Sequence, residues 1–133
     1  GAEEDEALRE AARDGDSEEV RRLLALEGIG VNAANAAGYT PLLLACATSS
    51  VDPGDARLEL SRMLVAAGAN VRAVTSDEAV VPRETPLHLS ATRGRVRLSL
   101  MLVGRGANVN ATNRYGETPL HNSAAKGHKE VTE

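Results

Sequence analysis

The chain has 133 residues, a length suited to one domain, with 42% hydrophobic residues but only two Tyr and no Phe or Trp, which argues against a thick single core and for thin layers of Leu, Val and Ala. Its net charge of −4 is uneven, with ten acids against four arginines over residues 1–30 and seven against nine over 31–117, so no clustered basic face calls for nucleic acid and the acidic start reads as a solvated surface. One cysteine, Cys46, excludes an internal disulfide and a Cys-based zinc cluster, and no apolar run approaches the roughly 20 residues of a membrane helix.

An internal period frames the predicted elements. Thr-Pro-Leu begins at Thr40, Thr85 and Thr118, so the last two copies stand 33 residues apart and the first two 45 apart. Gly-Ala-Asn begins at Gly68 and Gly106, with a weaker relative at Gly28-Ile29-Gly30. Against these markers the extra twelve residues divide into seven within the second unit and five between Gly68 and Thr85.

The first unit, about residues 3–35, has Glu6-Ala7-Leu8 in place of Thr-Pro-Leu, as a terminal unit permits. Its first helix is expected to end at Gly15, and its second, carrying Val20, Leu23 and Leu24, at Gly28. The second unit, about 36–80, opens with Thr40 as a cap and Pro41 at the first helical position. Gly38, two residues earlier, suits a turn that needs positive φ. Small apolar residues follow (Leu42, Leu44, Ala45), then an insert over 48–55 in which Asp52-Pro53 itself resembles a helix start. Leu60 and Leu64 mark the second helix, ended by Gly68, and residues 74–83 form a long loop. The third unit, about 81–113, places Leu87, Leu89 and Ala91 on its first helix, a stop at Gly94, and Leu98 and Leu102 on its second. The fourth begins near 114 with Gly116, Leu120, Ala124 and a stop at Gly127, and the chain ends at Glu133, about one turn into a second helix. That ending leaves apolar surface uncovered, as in a trimmed chain, one with a disordered remainder, or a piece of a longer protein.

Thr85-Pro86-Leu87-His88 and Thr118-Pro119-Leu120-His121, each followed by Gly94 or by Gly127-His128, resemble the ankyrin-repeat signature, as does Gly106-Ala107-Asn108-Val109-Asn110-Ala111 leading to Asn113, Gly116 and Thr118. The resemblance implies an all-α repeat solenoid of stacked helix-turn-helix units with outward β-hairpin fingers. It also implies a chain that binds another protein or peptide along a concave side and uses no cofactor, while the lone Cys46 fits a reducing, intracellular setting, cytoplasmic or nuclear. Membrane insertion, a nucleic-acid partner and a small-molecule substrate are not expected. A regulatory or targeting arm of a larger protein, itself an enzyme in one version, is the alternative. The family further permits hydroxylation of Asn32 or Asn110.

By motif position the partner-binding candidates are Asn35, Ala36, Ala37 and Tyr39 on the first finger, and Asp77, Glu78, Val80, Val81 and Arg83 on the long one. Arg114, Tyr115 and Glu117 make up the third, beside Thr92, Arg93, Ala125 and Lys126 at the ends of first helices. Tyr39, Arg114 and Tyr115 head the set, because aromatic and Arg side chains dominate binding hot spots. Val80 and Val81 have two readings, folded back onto their own finger or touching a partner. The second unit departs from the pattern, with Leu43 in place of the motif His and Arg72 in place of the motif Asn.

Enzyme chemistry finds no constellation. His88 and His121 hold the same motif position, and two ligands fall short of the three or four that zinc takes, so both read as structural. Cys46 lies among small apolar residues and Leu43 removes its nearest candidate base, so it reads as an inert buried thiol. Gly28-Ile29-Gly30 precedes a finger rather than a helix, so it is no phosphate loop. Arg93, Arg95, Arg97 and Arg105 read first as a solvated flank; as a site, this basic stripe would call for an acidic partner.

Overall fold

The computed structural model describes residues 1–47, 56–79 and 82–121. Among these residues six helices follow in chain order: α1 Ala2–Asp14, α2 Ser17–Leu24, α3 Pro41–Ala47, α4 Ala56–Ala66, α5 Pro86–Thr92 and α6 Val96–Gly104. They pack as three pairs, α1 on α2, α3 on α4 and α5 on α6. The pairs stack so that α1, α3 and α5 form an inner row and α2, α4 and α6 an outer one. Residues 119–121 begin a further helical turn.

Each inner helix starts and stops as its residues dictate. Thr85 Oγ1 accepts from the His88 N–H at 3.2 Å and Thr40 Oγ1 from the Leu43 N–H at 3.3 Å, while Pro at the first position gives up no backbone bond. Gly15 (φ 78°) ends α1 in the left-handed region. The short inner helices bury small residues, Ala45 and Cys46 on α3 and Ser90 and Ala91 on α5, which lets neighbours approach closely.

Of the apolar positions the spacing marks, Val20, Leu23, Leu42, Leu60, Leu64, Leu87, Leu98 and Leu102 are buried, joined by Leu8, whereas Leu24, Leu44 and Leu89 are only half-buried and Leu120 is exposed. Burying a side chain of this size stabilises the fold by about 1.5–3 kcal/mol.

The second helix of the first pair differs from expectation. It stops at Leu24 rather than at Gly28, and the chain continues through turns in which the Leu26 N–H donates to Leu23 O at 3.0 Å. The loop is held from α1, where Asp5 Oδ1 accepts from the Gly30 N–H at 2.7 Å. The acidic run is therefore not wholly solvated: Asp5 is half-buried and fastens the first loop.

Links between pairs come from side chains reaching along the stack. Asn32 Nδ2 donates to Gly68 O at 3.1 Å, and its Oδ1 accepts from the Asn70 N–H at 2.7 Å. Arg72, at the same motif position one unit on, donates from Nε to Gly106 O at 2.9 Å and so keeps the donor half of that bridge. Two arginines also reach back to finish inner helices. Arg57, buried at the start of α4, donates to the Ala12 and Arg13 carbonyls at the end of α1, and Arg93 Nε donates to Ala47 O at the end of α3 at 3.1 Å. A cation there satisfies last-turn carbonyls and meets the negative end of the helix dipole.

The fingers carry no β-strand among the described residues. Each is closed instead by one side chain that replaces ladder bonds. Asn35 Oδ1 accepts from the Ala37 and Tyr39 N–H groups at 3.0 Å, and its own N–H donates to Tyr39 O. Asn113 repeats this with Tyr115 and Glu117. In the long finger Thr75 takes the part: its hydroxyl accepts from the Glu84 N–H at 2.9 Å while its N–H donates to Glu84 O at 3.0 Å.

Candidate functional site

The three fingers stand side by side and are bonded to one another. The Ser76 N–H donates to Ala37 O at 3.0 Å, joining the first to the second, and the Arg114 N–H donates to Pro82 O at 3.2 Å, joining the second to the third. Gly38 permits the first contact: a Cβ there would lie 2.5 Å from the Ser76 nitrogen, and its φ is +83°. The Asp77 carboxylate lies between two guanidinium groups, 2.7 Å from Arg114 Nη1 and 3.3 Å from Arg83 Nε. Arg83 holds the left-handed conformation, φ 61°, which is uncommon for a non-glycine residue.

Behind the tips lies a buried polar layer. Glu84 is buried, and its Oε2 accepts from Asn113 Nδ2 at 2.9 Å; the same amide donates to Glu117 Oε1 at 2.9 Å. His88 links α5 to the third finger. Its Nδ1 accepts from the Thr85 N–H at 3.2 Å, which places the ring proton on Nε2, 2.8 Å from the Glu117 carbonyl to which it donates. His121 repeats the first half of this arrangement with Thr118 at 3.0 Å. Leu43, which stands in the place of His88, is buried and carries no such donor. There the Glu84 carbonyl accepts from the Thr75 N–H.

The candidates fall into distinct settings. Tyr115 is 64% exposed on the third finger, whereas Tyr39 is half-buried. Burial pushes the Tyr39 phenol above its ordinary pKa, with the Glu84 carboxylate adding to the rise and Arg93 opposing it. Asn35 is engaged in closing its own finger, with Ala36 exposed and Ala37 offering its carbonyl to Ser76. Glu78 is exposed at the tip; Asp77 and Arg114 are exposed but paired with each other. Thr92 is half-buried at the end of α5, and Arg93 is committed to α3. Glu117 is half-buried and turned to Asn113. Val80, Val81, Ala125 and Lys126 lie outside the described residues, as do the 48–55 insert, Gly127 and His128. Sequence reasoning missed Glu84 and Arg57, whose only signal is their position, one residue before a capping Thr and at the head of a second helix.

The Cys46 thiol is buried and pushed up to about 12, chiefly by that burial, with Arg95 and Arg57 opposing. A neutral, enclosed thiol is a poor nucleophile. Among the described residues no three His, Cys, Asp or Glu side chains gather as metal ligands, and no helix is long and apolar enough to cross a membrane.

Helix pairs stacked in two rows, with a projecting edge of bonded turns, define a helical repeat protein, each unit contacting only its neighbours. The family model described as Ankyrin repeat matches residues 37–76 and 83–114, and that described as Ankyrin repeats (many copies) matches 100–133. The chain belongs to the ankyrin-repeat family, whose repeats are in general protein–protein interaction modules. No curated protein matches the chain.

Proposed function

We propose that the chain is a non-catalytic, intracellular scaffold or adaptor that holds a partner protein along the finger edge and the adjoining ends of the inner helices, its concave side. The observation that carries this is the bonding of successive fingers to one another through Ser76–Ala37 and Arg114–Pro82. A surface fixed before binding loses little conformational entropy when a partner arrives. On it Tyr115 is the large exposed anchor, Tyr39 the half-buried one, and the Arg83–Asp77–Arg114 group a charged rim. The hairpin character of the fingers belongs to the same reading: paired bonds such as those at Thr75 and Glu84 are where a partner's backbone would extend them.

The test is to select a binding peptide from a displayed library and measure its affinity by calorimetry for the parent chain and for a Tyr39→Ala, Arg114→Ala, Tyr115→Ala triple variant. Hot-spot residues each contribute about 2 kcal/mol or more, so the triple variant is expected to bind at least about a hundredfold more weakly. Selected peptides that bind the variant as tightly as the parent would remove the finger edge from consideration.

A further inference from the structure

The outer row carries a second surface, away from the fingers. Between α4 and α6 runs an open groove of about 820 Å³, lined by Leu58, Arg62, Arg97, Leu100, Met101 and Arg105. Along α6 and its C-cap, the spacing Arg97, Leu100, Met101, Arg105 places an arginine at each end of an apolar stripe. Eight residues at 1.5 Å per residue separate the two arginines by about 12 Å. Leu100 is 66% exposed, the most open of the large hydrophobic side chains among the described residues. Arg62 and Arg105 make no side-chain hydrogen bond or ion pair among the described residues, whereas Arg22 on α2 is held by Glu19 at 2.6 Å. α6 itself carries no acid, and α4 only Glu59.

We propose that this groove is a docking site for an acidic amphipathic helix of a partner protein, independent of the finger edge. Charge complementarity selects the occupant: three arginines around an apolar floor match carboxylates about two turns apart flanking leucine-like residues. The apolar floor favours a peptide over a phosphate backbone, which offers charge alone along its length. Exposed pairs contribute little singly, so affinity rests on the buried leucines, and charge sets selectivity and salt dependence.

The probe is an Ala-based helical peptide with two glutamates eight residues apart flanking a leucine pair, fluorescently labelled and followed by anisotropy. Its counterpart carries lysines in place of the glutamates. The glutamate peptide is expected to bind more tightly than the lysine peptide, and more weakly as ionic strength rises. Arg62→Glu with Arg105→Glu, and separately Leu100→Asp, are expected to weaken it about tenfold or more, with thermal melts unchanged because these side chains are exposed. Tyr115→Ala is expected to leave it unaltered, which separates this site from the finger edge. Equal binding of the lysine peptide, indifference to the arginine and leucine substitutions, or capture of duplex DNA or anionic vesicles without the peptide would each overturn the proposal.

Discussion

Ser61 and Ser99 occupy the same place on successive outer helices, α4 and α6, yet their hydroxyls meet different surroundings. Ser99 Oγ lies 2.8 Å from Ser90 Oγ, which in turn donates to Leu87 O at 3.2 Å. At the position of Ser90, α3 carries Ala45, and Ser61 Oγ is buried without a partner among the described residues. An unsatisfied buried hydroxyl costs about 1–3 kcal/mol of desolvation, so Ser61→Ala is expected to leave stability unchanged or raise it by up to about 1 kcal/mol in urea denaturation. Ser90→Ala, which strands Ser99, is expected to lower it by about 1–2 kcal/mol. The equivalence of the two serines is legible from the repeat register, because Leu60–Leu64 and Leu98–Leu102 align them. The lost partner is not, since Ala45 reads simply as one more small residue of an inner helix. His88 shows the opposite case: its motif position announces a structural role, and the structure supplies the carbonyl it holds.

At the scale of an element, the fingers divide backbone conformation from contact. Gly38 and Gly116 have similar φ, +83° and +75°, but a Cβ at Gly38 meets the Ser76 backbone whereas one at Gly116 meets nothing within 4 Å. Gly116→Ala should therefore lose only about 1 kcal/mol, the cost of placing alanine at positive φ. Gly38→Ala adds a backbone collision and should lose clearly more, with the Ser76 amide losing protection in hydrogen exchange. Both glycines are legible two residues before a capping Thr, as a need for positive φ. The contact is not, because it depends on how closely a second finger is drawn against the first by Ala37 and Ser76. The end of α2 is a similar case. Gly28 sits at the expected stop and adopts the expected φ of 78°, yet the helix has already given way to turns, drawn off by the Asp5 carboxylate on Gly30.

For the molecule as a whole, Cys46 is a reporter of the stack. It sits on α3, which packs against α1, α4 and α5, so a reagent reaches it only when neighbouring layers part. At pH 8 the folded chain should resist iodoacetamide, and the rate of labelling in rising urea should follow the opening of the middle of the stack. The thiol's folded pKa, about 12, lies above the ordinary 9.0. The unfolded chain therefore ionises first, and the stability due to the neutral buried thiol, complete below pH 9, is lost as pH climbs from 9 toward 12. Cys46→Ala should flatten that decline in a pH series of denaturation curves. Two rows of helices, their repeat and most of their apolar positions were readable from Thr-Pro-Leu, Gly-Ala-Asn and the leucine spacing, though not that Leu120 is exposed. The long-range arginines were not, since nothing in a stripe of Arg93, Arg95, Arg97 and Arg105 says which one turns inward to α3 and which face the outer groove. Those inward arginines also set an order in time. The donors that complete α1 and α3 lie 44 to 46 residues downstream of the carbonyls they satisfy. A chain leaving the ribosome amino-terminus first thus exposes α1 and α3 with last-turn carbonyls unsatisfied until the following pair emerges, so completion of these helices during synthesis lags the nascent chain by more than one full unit.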